Sequence, residues 1–193
     1  MTQRYKVDVL DYIITNNHVH LLIKIKDGSE VSEGLRYLHG RMGQWYNIQT
    51  DQSGSFWGDR FHATRIQSGK HLGACLFYID LNMVRAGVVD HPSQWEYGSY
   101  NEFTGKTQRC CIINKEQLLN SLCFDNDFSR FTRWYQATLE DELGRMERNR
   151  QAFWSQATAV GDKEWLHGEA QAMRVRRVIV SHGSNEQYYL GNV

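Results

Sequence analysis

Within Asn17-His18-Val19-His20-Leu21-Leu22-Ile23, two histidines stand one residue apart in a run that otherwise reads as a buried strand. Side chains alternate across a strand, so residues two apart share a face. His18, His20 and Leu22 fall on one face, and Val19, Leu21, Ile23 and Ile25 form an apolar stripe on the other. Two imidazoles one pleat apart are close enough to ligate one divalent cation. Alone, such a pair is far more readily two ordinary histidines at a strand end. A second group shifts the balance. Tyr78, Asn82 and Arg85 recur at steps of four and three and so share a helix face, which His71 extends by two turns. Two imidazoles and an amide oxygen make three ligands with open positions. An ion held there polarises a phosphodiester, while a tyrosine hydroxyl supplies the nucleophile for a covalent intermediate.

The elements that position these residues follow from pattern. Residues 5–14 are rich in β-formers and predict a strand. Asn16-Asn17 tolerates a tight turn, and residues 18–26 return antiparallel. Ser29 offers an N-cap, and Val31, Leu35, Leu38, Met42 and Trp45 trace an amphipathic helix to about Asn47. Gly34, Gly40 and Gly43 weaken that helix unless a backbone approaches closely. After a polar loop over 48–55, residues 56–66 read as a loop feeding a strand, with Arg60, His62, Thr64 and Ile66 on one side. A second helix spans about 70–86, with Leu72, Cys75, Leu76, Ile79 and Met83 as its apolar stripe and Gly87 as its stop. Beyond Pro92, Trp95, Tyr97 and Tyr100 lie in an irregular aromatic segment. Helices follow over 114–122, from a cap at Asp125 or Asp127 to about 148, and over 162–169. Two strands, a helix, a strand and a helix define an α+β class: a small antiparallel sheet with helices packed on it.

Composition narrows the setting. No run reaches the length of a membrane span, no secretory signal opens the chain, and the expectation is a cytoplasmic protein. The four cysteines, Cys75, Cys110, Cys111 and Cys123, show no zinc-type spacing and read as incidental thiols. With 22 basic and 22 acidic residues the chain is neutral, so a nucleic-acid surface must come from local clustering. Lys24, Lys26, Arg60, Arg65 and Arg85 are the candidates round the site. Arg174, Arg176 and Arg177 provide a basic cluster in the tail.

The run Asn17 to Leu22, then Trp57-Gly58-Asp59-Arg60-Phe61-His62, then Tyr78-Ile79-Asp80-Leu81-Asn82-Met83-Val84-Arg85-Ala86-Gly87-Val88-Val89, resembles the REP-associated tyrosine transposases. These are single-tyrosine HUH endonucleases of the insertion-sequence transposase family. The likeness runs in family order over about residues 5–105 and includes Trp95-Glu96-Tyr97-Gly98-Ser99-Tyr100. Residues 106–193 read as a mostly helical C-terminal extension. The resemblance implies a ferredoxin-like fold and cleavage of single-stranded DNA near hairpins, leaving a 5′-phosphotyrosine and a free 3′-hydroxyl. It makes Tyr78 the nucleophile, His18, His20 and Asn82 the ligands of magnesium (or manganese), and the partner single-stranded or hairpin DNA, bound by a monomer or homodimer. Arg60, Arg65, Arg85 and Lys24 are the expected DNA contacts. Two departures stand out. The family's first strand and helix are lacking before residue 5, which leaves a sheet edge for another chain or the C-terminal extension to cover. Met83 replaces a proline common after the asparagine. Two other classes remain: a non-catalytic DNA-binding relic, and a hydrolase using His18, His20 and His62.

Overall fold

The computed structural model describes residues 2–25, 28–106, 111–146, 151, 153–174, 178–182 and 187–191. Lys26, Arg176, Arg177 and Cys110 lie outside the described residues. The chain opens with a short helix α1 (Thr2–Tyr5) and the hairpin β1 (Asp8–Ile14) and β2 (Val19–Lys24). Helix α2 (Gly28–Thr50) follows, then β3 (Arg65–Ile66), α3 (Lys70–Asp80) and α4 (Asn82–Arg85). A 3-10 turn at Pro92–Gln94 leads to α5 (Tyr100–Phe103), α6 (Lys115–Leu122), α7 (Phe128–Arg145) and α8 (Phe153–Gln156). The chain closes through β4 (Ala159–Gly161), α9 (Lys163–Ala172), β5 (Val178–His182) and β6 (Gln187–Gly191). The α+β class holds, but the strands form two sheets rather than one.

The first sheet is the antiparallel hairpin, with Ile13 opposite His20 and Ile14 opposite Val19. Tyr5 belongs to α1, so the first strand starts later than its composition suggests. A bulge between Val9 and Asp11 inserts Leu10 and lets β1 bury residues on both faces. The β1 edge turned away from β2 is covered from within the chain. Gly98 bridges Ile13, Ile14 donates to the Tyr97 carbonyl at 2.8 Å, and Asn114 donates to the Val9 carbonyl at 2.8 Å. On β2, Leu21 and Ile23 pack with Val7, Val31 and Leu35 beneath α2, as alternation requires. Leu22, on the histidine face, enters the larger core with α3. Ile25, expected in the stripe, lies past the end of β2 and is 47% exposed.

Helix α2 begins at Gly28, so Ser29 sits in its first turn rather than capping it. Its core contacts end early: the buried residues are Val31, Gly34 and Leu35, each apolar side chain contributing about 1.5–3 kcal/mol. The C-terminal half projects, with Trp45 63% and Ile48 77% exposed. It is braced on one side by the following loop. Tyr46 packs on Phe56 at 4.6 Å between ring centroids, and His39 stacks on Trp57 at 4.3 Å. Gly43 faces that loop, where an added Cβ would come into contact with the Phe56 Cβ at 3.4 Å.

The second sheet has the order β3-β4-β6-β5. Its β3 pairs in parallel with β4, Arg65 against Ala159 and Ile66 against Val160. Among the described residues of 106–193, three strands therefore accompany the helices, and they interleave with the N-terminal part. Only Arg65 and Ile66 of the expected 56–66 segment form a strand. Helices α6 and α7 are capped by Asn114 and Asp127, whose side chains accept from Gln117 N and Arg130 N. Phe131, Tyr135 and Leu139 of α7 are fully buried against α3 and α6 neighbours. Gly161 of β4 has no room for a side chain, since a Cβ would lie 2.8 Å from Gln67 Oε1 and 2.9 Å from Trp165 Cζ3. Gly161→Ala is expected to destabilise the protein by about 1–3 kcal/mol, the usual range for overpacking, measured by urea unfolding.

Candidate active site

The histidine strand and the tyrosine helix meet in one open groove. Helix α3 packs on the hairpin, and β2 turns His18 and His20 toward it. The two imidazoles lie parallel, 7° apart in plane, with centroids 6.3 Å apart. Tyr78 presents an edge to His20 at 6.0 Å. His18 Nδ1 lies 2.8 Å from Asn17 Oδ1. As an N–H donor there, it leaves Nε2 as the free nitrogen, the arrangement by which a neighbouring carbonyl orients a metal-ligating imidazole. Asn82 begins α4, one turn past Tyr78, and is half-buried. The chain breaks from regular helix at Leu81, with φ −81° and ψ 5°, between tyrosine and asparagine. Gly87 ends the segment with φ +70°, as a stop glycine should, and Met83 is buried within it.

The groove measures about 2140 Å³, and His18, His20, Lys24, Arg60, Arg65, Tyr78, Asn82 and Arg85 all line it. They differ in how free they are. Lys24 and Arg60 are exposed and make no ion pair among the described residues. Arg65 pairs with Glu169 at 2.6 Å, so a phosphate must compete with a carboxylate for it. Arg85 turns inward. Both its Nη atoms donate to the Tyr78 carbonyl at 3.3 Å, and its guanidinium sits 4.7 Å from the Tyr78 ring centre. Burial lowers the Arg85 pKa from the usual guanidinium value, with Tyr78 acting the other way. The placement is a cation–π contact on the candidate nucleophile.

Helix α3 is buried all round rather than open on the tyrosine face. His71, expected to extend that face, is 1% exposed and meets Asp162 Oδ1 at 3.0 Å. Hydrogen bonds from Lys70 and His71 hold the Asp162 pKa down at about 2. His62 does not join His18 and His20. Its Nε2 is 2.9 Å from the Ala157 carbonyl, and no group of three His, Cys, Asp or Glu able to hold a metal occurs among the described residues. The three-histidine hydrolase is thereby set aside.

Two features escaped the sequence reading. First, Tyr78 is 8% exposed because Trp154 of α8 stacks on it at 5.8 Å and 29°. Thr64 Oγ1 helps seat α8, lying 3.2 Å from the Trp154 carbonyl and 2.7 Å from the Ala157 carbonyl. Secondly, two carboxyls lie buried behind the site, Asp11 on β1 and Asp80 two residues after Tyr78. Ser99 Oγ hydrogen-bonds Asp11 Oδ1 and lies 3.0 Å from Asp80 Oδ1, and Tyr135 donates to Asp80 Oδ2 at 2.5 Å. One hydroxyl proton cannot serve both acids, so a carboxyl proton supplies the other bond. Asp80 accepts more donors, while Asp11 Oδ2 has no partner among the described residues, so Asp11 keeps its proton to higher pH and Asp80 gains one as the pH falls. Burial raises the Asp80 pKa to about 7, and burial together with the Asp80 charge raises Asp11 well above the ordinary carboxylate value. The network ties α3 to β1 and thereby sets Tyr78 against His20.

The α+β framework thus sets an H-x-H strand facing a helix-borne tyrosine in one groove. Residues 1–82 match the family described as Transposase IS200 like, and the match supports a transposase of the IS200/REP family. It takes in both histidines, Tyr78 and Asn82. Neither the curated proteins nor the solved structures compared with the chain gave a match. No described helix is long and apolar enough to cross a membrane.

Proposed function

We propose that this chain nicks and rejoins single-stranded DNA near hairpins through a 5′-phosphotyrosine on Tyr78. The observation that carries this reading is the edge contact of Tyr78 with His20, at 6.0 Å, inside the groove. That groove is larger than the roughly 300–1,000 Å³ of small-molecule sites, and suits a polymer. Tyr78 Oη attacks phosphorus as the bond to the 3′-oxygen breaks. The phenolic proton is lost and the 3′-oxygen leaves as a hydroxyl, so that the reverse step joins strands. Arg85 holds the ring from behind, fixing the line of attack and placing positive charge beside an oxygen that becomes anionic.

His18, His20 and Asn82 fit a divalent cation, magnesium or manganese, because Asn17 orients His18 with its second nitrogen free. Such an ion supplies Lewis-acid polarisation of the scissile phosphate. With two imidazoles and one neutral oxygen, the site favours exchangeable rather than structural binding. Incubation with end-labelled hairpin DNA bearing a single-stranded flank, with magnesium or manganese, is expected to give a protein–DNA adduct that survives denaturation. Chelator abolishes it.

A second reading, a DNA-binding relic without catalysis, is favoured by one observation: Tyr78 is covered by Trp154. Intact DNA binding with no adduct under either metal would establish it over the first.

A further inference from the structure

Away from Tyr78 the groove runs out between the end of β2, the projecting half of α2 and the 56–64 segment. Its lining there is unusual for a surface. His39 and Trp57 stack at 4.3 Å and 24°, and Trp57 Nε1 donates to the His39 carbonyl at 3.1 Å, so the pair is preformed. Burial lowers the His39 pKa, which favours a neutral ring in the stack. Phe61, with 44% of its surface exposed, and Ile25, with 47%, line the same groove. Arg60 and Lys24, both exposed and in no ion pair among the described residues, flank these apolar groups. The acid at this end is Asp59, whose Oδ1 accepts from the Arg60 backbone N–H at 3.1 Å.

We infer that this arm is a stacking platform for unpaired nucleotides, with Phe61 receiving a base and Arg60 and Lys24 its flanking phosphates. Aromatic faces set between free cations are what single strands need and duplexes cannot use, because a paired base has no open π-face. Charge complementarity and continuity with the Tyr78 end of the groove favour a nucleic-acid strand over a protein segment. The platform deepens the proposed function by placing the single-stranded flank, and its binding role is separable from the covalent step.

The test uses the full chain and a fluorescently labelled twelve-residue oligo-dT, with a duplex of equal length as reference, read by anisotropy over a salt series. Phe61→Ala is expected to weaken oligo-dT binding about 5- to 150-fold, the range of one base–aromatic stack. It should leave the salt slope and duplex binding unchanged, and Phe61→Trp should restore affinity. Arg60→Gln should do the converse, lowering the salt slope by about one unit. Phe61 is exposed, and an unaltered melting temperature confirms that each variant is folded. Phe61→Ala binding oligo-dT as the parent does overturns the platform, and so does an equal loss on duplex. If the parent forms the adduct while Phe61→Ala binds normally, the platform fails and the nicking reading stands. If binding depends on Phe61 and no adduct forms, the reverse holds. A parent that binds no oligo-dT overturns the platform whatever the adduct assay shows.

Discussion

Tyr78→Phe is expected to yield no covalent adduct while binding the same hairpin DNA as the parent protein does. Only a hydroxyl is removed. The phenyl ring keeps its stack on Trp154, its edge contact with His20 and its place under the Arg85 guanidinium. His20→Ala should abolish the adduct equally, and chelator should reproduce that loss with the parent. Asn82→Ala should slow the step less, because water replaces one neutral oxygen ligand. The readout is a labelled band retained on denaturing electrophoresis. An adduct that persists in Tyr78→Phe would move the nucleophile to another tyrosine and defeat the proposed chemistry. Tyr37, Tyr46 and Tyr100 are not among the groove-lining residues.

The second large effect is on stability as a function of pH. Asp80, with a folded pKa of about 7, holds its proton where the unfolded chain, at about 3.9, has lost it. The folded state then binds more protons, so stability falls as pH rises through the interval from about 4 to about 7. The contribution is complete below the unfolded pKa and gone above the folded one. Each such group contributes a slope of up to about 1.4 kcal/mol per pH unit. Asp11 is raised in the same direction by burial and by the Asp80 charge, which steepens the fall. Asp11→Asn keeps the shape and hydrogen bonding of the protonated acid, and removes its titration. Urea unfolding at a series of pH values should therefore show a shallower decline for Asp11→Asn than for the parent. Parallel curves would mean that the buried acids do not carry the protons assigned to them.

What the sequence made legible was governed by short-range periodicity. The two-residue repeat put His18 and His20 opposite the Leu21 and Ile23 stripe, and the three- and four-residue steps put Tyr78 and Asn82 one turn apart. The groove brings both pairs together because the hairpin packs directly on α3. Long-range partners left no such trace. Trp154 covers Tyr78 from 76 positions away along the chain, within a stretch lacking any repeat. Glu169 neutralises Arg65 across the second sheet, and Asp162 draws His71 into the interior. The 56–66 segment looked like a strand because His62 and Thr64 do share a side. Their partners are the carbonyls at 154 and 157 rather than another strand's ladder. Likewise nothing local marks Asp11 and Asp80 as buried acids, because their partners Ser99 and Tyr135 lie 19 to 88 positions away along the chain.

The parallel pairing of β3 with β4 has a consequence for the order of events during synthesis. Arg65 waits for Ala159, a separation of 94 residues, and its neighbours Thr64 and His62 wait for the carbonyls at 154 and 157. Translation at roughly 5–20 residues per second delays that closure by about 5–20 s after β3 is made. Through that interval the nascent chain carries the histidines and Tyr78 but has not yet made β4, which pairs with β3, or Trp154, which roofs the tyrosine. The segment matching the transposase family therefore depends, for its finished form, on residues 154–160, made long after it.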